Sequence, residues 1–184
     1  MKDFIAIADY SAKELHELLD LAVSLKTEWK DGGNKPIFKN KVLAMVFQKP
    51  SLRTRVSFDM AMRHLGGDAL YLSPAEIGLG KRESIADVAR VLSGYVDIIM
   101  ARVFDHAHVE ELAKWASIPI INGLSDYNHP CQAFTDIFTI FEHFHSLENL
   151  NVTYVGDGNN VALSLLLACV KLGINFTIAS PEGY

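Results

Sequence analysis

The segment Lys49-Pro50-Ser51-Leu52-Arg53-Thr54-Arg55-Val56-Ser57-Phe58 concentrates hydroxyl and guanidinium groups directly after a short apolar run, Val42 to Phe47. Where a strand feeds a helix, the first helical turn offers unpaired N–H groups and the positive end of the helix dipole, and both favour an anion. Ser51 and Thr54 add hydroxyl donors, and the planar fork of Arg53 suits phosphate oxygens. The plainer reading is an exposed basic turn capped by Ser51. Basic side chains in a first turn oppose the dipole unless an anion is present, so phosphate binding is the stronger expectation.

Two further clusters follow at comparable places. Ala101-Arg102-Val103 closes a second apolar run; taken alone, Arg102 would be a surface residue. Asn122-Gly-Leu-Ser-Asp-Tyr-Asn-His129-Pro130-Cys131-Gln132 lies between a strand and a long helix. Pro130 suits the first helical position. His129 and Gln132, three apart, can project from the same side of the first turn. A lone His with a Gln is more often structural, but their placement at the sheet edge that carries the phosphate loop favours a site. Gly156-Asp157-Gly158-Asn159-Asn160 is a fourth cluster. It matches a dinucleotide fingerprint only in part, because Val161 stands where the third glycine should be. His106 with His108, and His143 with His145, are two apart and diverge on a helix, so no metal site is expected from them. Cys131 is expected to pack beneath its turn rather than act as a nucleophile, and Trp29 and Trp115 to pack at helix ends.

The positioning elements follow from periodicity. Helical spacing of apolar residues runs from a Ser11 cap to Asp31-Gly32-Gly33, then from Arg53 to Leu65, Ser84 to Gly94, His106 to Ala116, His129 to His145 and Val161 to Leu172. Strands are expected at 41–47, 69–72, 97–101, 118–121, 152–155 and 175–179. Continuously apolar strands alternating with helices imply an α/β fold with a parallel sheet flanked by helices on both faces. Ligands in such sheets bind beyond the carboxyl ends of the strands, where the first three clusters fall; the fourth follows the strand at 152–155. The expected organisation is a complete first domain over 1–146 and a second α/β domain only begun over 147–184. One and a half βαβ units cannot cover both faces of their own sheet.

Composition narrows the classes. The chain has 184 residues, 49% hydrophobic and 21% charged, with net charge −5, and a mean hydropathy of +0.15. An acidic globular chain gives no electrostatic reason to expect nucleic acid. Two cysteines, Cys131 and Cys169, make no disulfide framework. The longest apolar stretch, Val161 to Val170, is about half a membrane span and is broken by Ser164. No basic-then-apolar leader pattern opens the chain, and a cytoplasmic location is expected.

Phe47-Gln-Lys-Pro-Ser-Leu-Arg-Thr-Arg-Val-Ser-Phe58 closely resembles the phosphate loop of the aspartate and ornithine carbamoyltransferase family. The other three clusters follow in the family's order and spacing, so the resemblance spans the whole chain. It implies that Ser51, Leu52, Arg53, Thr54 and Arg102 hold the phosphate of carbamoyl phosphate. It also implies that His129, Pro130, Cys131 and Gln132 surround the carbamoyl group, His129 toward the carbonyl oxygen and Gln132 toward the amide. Gly-Asp-Gly-Asn-Asn resembles the pattern of ornithine-using members, where Asn160 would contact the ornithine backbone. Asp136 and Thr139 match the family pattern as supporting or packing residues. Glu76 to Ser84 resembles a loop that reaches a neighbouring subunit's phosphate; Gly78 departs from the Gln or His common there, and Lys81 or Arg82 could substitute. Leu163 stands where relatives often show His or Asn.

The implied reaction is carbamoyl transfer from carbamoyl phosphate to L-ornithine, giving L-citrulline and phosphate, in arginine biosynthesis. Arg102, His129 and Gln132 would act at the reacting carbonyl. The resemblance implies no metal or organic cofactor and a homotrimer, with further ornithine contacts in a later stretch of sequence. The chain by itself is expected to be inactive. Three alternatives stay open: a putrescine or other amine acceptor, a non-catalytic carbamoyl-phosphate-binding relative, and a nucleotide-binding oxidoreductase using Gly156 to Asn160.

Overall fold

The computed structural model describes residues 3–183. The element order is a 3₁₀ turn Ile7–Asp9, α1 (Ala12–Lys30), β1 (Val42–Phe47), α2 (Leu52–His64), β2 (Asp68–Leu72), α3 (Pro74–Ile77), α4 (Ile85–Ser93) and β3 (Ile98–Arg102). Then come α5 (His106–Trp115), β4 (Ile120–Leu124), α6 (Pro130–Phe144), β5 (Asn151–Val155), α7 (Asn160–Lys171) and β6 (Asn175–Ala179). Caps explain where several helices start. Ser11 accepts from the Glu14 N–H while Glu14 accepts from the Ser11 N–H, satisfying two otherwise orphan donors at the head of α1.

The first four strands form a parallel sheet in the order β2-β1-β3-β4. β1 is central, which is why Leu43 to Phe47 is an unbroken buried run. Its residues alternate between layers. Ala44 and Val46 join Val88, Ala89, Val109 and Leu112 under α4 and α5. Leu43, Met45 and Phe47 face Met62 of α2 and Met100 of β3. The chain leaves β1 toward β2 and returns on the other side to β3, so the strand order reverses between β1 and β3. A crevice opens at such a reversal, beyond the strands' carboxyl ends. Register puts Phe47 opposite Arg102, delivering the loops after both strands to that crevice.

β5 and β6 form a separate parallel pair. Val152, Tyr154 and Phe176 pack in the layer that α7 shares with α1 and α6. The other face stays open, with Val155 80% exposed, as one and a half βαβ units require.

Three features differ from the sequence expectation. α3 was absent from it; Ser73, Pro74 and Glu76 build a complete capping box over a single turn. β4 begins and ends later than 118–121, running through Asn122 and Gly123. The buried Asn122 side chain is satisfied there only at its amide nitrogen, which donates to the Ile5 carbonyl at 3.0 Å, while its Oδ1 has no partner among the described residues. A Cβ on Gly123 would lie 2.4 Å from the Met100 sulfur, so a larger residue there would force that buried side chain to move. Finally, Phe4 pairs with β4, exchanging backbone bonds with Ile120 and Asn122 at 2.8 Å each. Among the described residues, no helix is long and apolar enough to cross a membrane.

Candidate active site

The crevice between β1 and β3 is floored by α2. Ser51 caps this helix: its hydroxyl accepts from the Thr54 N–H at 3.4 Å and donates to Thr54 Oγ1 at 3.0 Å. From the last position of β3, the Arg102 guanidinium donates through Nη1 to the same Thr54 oxygen at 3.2 Å. Arg102 Nε is buried with no hydrogen-bond partner among the described residues. Burial lowers the pKa of this guanidinium from its ordinary value, though arginine remains charged at any physiological pH. A cation with a free, buried N–H beside a helix N-terminus is well placed to receive an anionic oxygen.

Opposite α2 stands the head of α6. His129 is the residue before Pro130, and its backbone N–H donates to Ser164 Oγ at 2.9 Å. Burial, and then the charge of Arg102, push the pKa of its imidazole down to about 4. His129 is therefore neutral at neutral pH, able to donate one ring N–H but not to act as an imidazolium acid. Its Nδ1 is buried without a partner among the described residues. Gln132 is exposed one turn on, and its amide donates to Asp136 Oδ1 at 2.9 Å. Burial raises the Asp136 pKa, the bond from Gln132 opposing it.

Arg53, Thr54, Ser57, Phe58, Gly123, His129, Cys131, Gln132 and Thr135 line one open cleft of about 260 Å³. Two clusters well separated in sequence, at 53–58 and 123–135, thus face each other across a space suited to a small ligand. Cys131 keeps some exposed surface, but its thiol points inward, donating to the Asn122 carbonyl at 3.4 Å. Burial pushes that thiol up to about 12, so no thiolate nucleophile is available. Leu52 has a side chain 78% exposed; what it can offer the cleft is its backbone. Thr139 donates to the Thr135 carbonyl within α6. Arg55 turns away, stacking 4.0 Å over Tyr71.

Asn160 lies outside this cleft. With Lys49, Leu124, Ser125 and Asp126 it lines a neighbouring one of about 430 Å³, and its side chain donates to the Ser125 carbonyl at 2.5 Å. Ser164 connects the two spaces: it accepts from His129 and donates to the Asn160 carbonyl at 2.8 Å. The sequence offered one hint of Ser164, as the polar break in an apolar helix. Ser57 and Phe58 lay inside the phosphate-loop segment without being given a role, and Thr135 gave no signal beyond its helical spacing from Gln132. Lys81 and Arg82 do not reach the 260 Å³ cleft. Lys81 borders a separate cleft with Gln48, Gly78, Leu79 and Phe104, and Arg82 donates to the Glu76 carbonyl at 3.3 Å. Gly78 ends α3 at φ 50°, and a Cβ there would meet the Arg82 Cβ at 2.8 Å, which accounts locally for glycine at this position. His106 and His108 turn to different partners, Ser125 Oγ and Gln48.

Residues 2–142 match the family model described as aspartate/ornithine carbamoyltransferase, carbamoyl-P binding domain, and residues 148–184 match the corresponding Asp/Orn binding domain. The ornithine carbamoyltransferase of Pyrococcus abyssi is 54% identical over 183 residues, and that of Bacillus subtilis 52% identical. All of this chain is matched, but it spans only 58% and 56% of those two relatives. The solved ornithine carbamoyltransferase of Pyrococcus furiosus superposes with a TM-score of 0.97 at 54% identity, over 100% of this chain and 58% of that one.

Proposed function

The chain belongs to the aspartate/ornithine carbamoyltransferase family, and on that premise we propose that it is the front part of an ornithine carbamoyltransferase acting in arginine biosynthesis. In this reading 1–146 is the carbamoyl-phosphate-binding domain and 147–184 the start of the ornithine-binding domain. The neutral δ-amine of ornithine attacks the carbonyl carbon of carbamoyl phosphate. A tetrahedral oxyanion forms, then collapses with loss of phosphate to give citrulline.

Little covalent work falls to the protein. Position and charge stabilisation supply the catalysis. Ser51, Arg53, Thr54 and Arg102, with the backbone of Leu52, hold the phosphate. Arg102, Thr54 and His129 face the oxygen on which negative charge grows. Gln132 orients the carbamoyl nitrogen beside Pro130 and Cys131, and Asn160 holds the amino acid. The observation that carries this reading is Arg102, bonded to Thr54 at the phosphate-loop helix while its Nε remains buried and unpaired. We assign the complete enzyme to a cytoplasmic homotrimer in which Lys81 or Arg82 approaches a neighbour's phosphate.

The test is turnover by the natural full-length polypeptide, assayed as citrulline formed from carbamoyl phosphate and a panel of amines that includes ornithine and putrescine. Ornithine is expected as the preferred acceptor, and preference for putrescine would overturn that assignment. Arg53→Lys is expected to weaken carbamoyl phosphate binding at least tenfold, because a single ammonium cannot reproduce the guanidinium fork. An unchanged dissociation constant by calorimetry would remove Arg53 from the site.

A further inference from the structure

Gln48 is the residue immediately after β1 and belongs to none of the roles above. Its backbone N–H donates to the Arg102 carbonyl at 2.9 Å, extending the β1–β3 ladder by one step. Its half-buried side chain then bridges outward in three directions. Nε2 donates to the Leu79 carbonyl at 3.1 Å, and Oε1 accepts from the Phe104 N–H at 3.0 Å. The His108 ring nitrogen Nδ1 lies 3.0 Å from Nε2.

These partners sit on separate segments. Leu79 is in the loop that carries Lys81 and Arg82, and Phe104 is two residues beyond Arg102. Gln48 itself stands three residues before Ser51. One amide therefore ties together the loops after β1, α3 and β3. Arg102 is held from both sides, by its own carbonyl and through Phe104. The chemistry calls for an amide: Leu79 needs a donor and Phe104 an acceptor at the same side-chain end, a combination that neither a carboxylate nor an ammonium provides. Asparagine is one methylene too short to keep the same reach.

We infer that Gln48 is a positioning residue for carbamoyl phosphate, setting Arg102 and the Leu79 to Arg82 loop in one register with the Ser51 to Thr54 turn. This rests on the proposed function above, since the ligand being positioned is the one assigned there. Gln48 touches no reacting atom. Its effect passes through the backbone of Arg102 to Phe104, which sets where the guanidinium points.

The experiment uses the full-length enzyme with Gln48→Met, which keeps the side-chain length and removes both polar ends. The KM for carbamoyl phosphate is expected to rise about tenfold, equivalent to about 1.4 kcal/mol, with the KM for ornithine within twofold of its original value. A glutamine that served stability alone would lower the melting temperature and the active fraction, so that kcat falls while both KM values hold; that pattern overturns the inference, as does unchanged kinetics. Should Gln48→Met not fold, His108→Ala removes one of the three side-chain partners and is expected to raise the same KM two- to threefold. No change there overturns the inference too. Failure of the unaltered enzyme to bind carbamoyl phosphate at all would instead refute the functional assignment.

Discussion

His129 gives the most direct physical test of the cleft. An imidazole titrates near 6.5 in an unfolded chain, whereas here burial and the nearby Arg102 push it down to about 4. Between those values the unfolded chain takes up a proton that the folded one refuses. Acid therefore favours unfolding: the contribution is fully present above pH 6.5 and is lost as pH falls toward 4. Each pKa unit is worth about 1.4 kcal/mol, so the full window amounts to about 3 kcal/mol. The ring is only partly shielded from solvent, which halves that to about 1.5 kcal/mol, of which about 1 kcal/mol should be gone by pH 5. Urea denaturation at pH 7.5, 6.5, 5.5 and 5.0, on the unaltered protein and on His129→Gln, isolates the group, since every other titration is common to both. The unaltered protein is expected to lose about 1 kcal/mol more than the variant between pH 7.5 and 5. An NMR titration of the ring should give a midpoint well below 6.5. Arg102→Met should raise that midpoint without restoring it, because the larger cause, burial, remains. Parallel stability curves, or a midpoint near 6.5, would refute the description of His129 as a buried neutral donor beside a cation.

Two other outcomes follow from the same geometry. Cys131, held up at about 12 by burial, should resist iodoacetamide at pH 8 in the folded protein and react only on unfolding, as followed by mass spectrometry; rapid modification of the native protein would show an exposed thiol. For the proposed role of Lys81 and Arg82 across a subunit boundary, a full-length Arg53→Ala enzyme mixed with one altered at both residues should regain part of the activity that each lacks; a defective double variant that gains nothing on mixing would confine those residues to their own subunit.

How far the site was legible depends on whether a residue's partner lies nearby in sequence or only in space. The local structure of the proposed phosphate loop could be read from sequence: a buried apolar strand, a Ser cap and a basic first turn all lie within 42–58, and each has a local physical cause. Arg102 could be placed at a strand end by periodicity. Its meeting with Thr54, 48 residues away, depends on β1 and β3 being neighbours, and strand order was not determined by the apolar pattern of either strand. The resemblance to a known family brought those two together before any geometry did. Short elements escaped because their signal is brief: Ser73-Pro-Ala-Glu76 caps one turn, too little for periodicity to register, although its capping box was present in the sequence.

Residues that serve others were harder still to see. Gln48 and Ser164 are ordinary polar residues, one at a strand end and one inside an apolar helix, and neither type marks a site. Their significance lies in what meets them from 31 to 60 residues away: Leu79, Phe104 and His108 around Gln48, and His129 on Ser164. A buried hydroxyl or amide must find such partners or cost stability, so each polar residue inside an apolar segment poses a question that only packing answers. Here the answers point the same way. Gln48 bonds at the end of the crevice where the guanidinium emerges, and Ser164 at the other end, where the imidazole does. Two of the three groups assigned to the carbonyl oxygen, Arg102 and His129, are held by side chains with no role at that oxygen, and their separation across the cleft is set by β1, β3 and α7 together. Moving either strand end or the first turns of α7 would displace a donor without altering a single residue of the motifs.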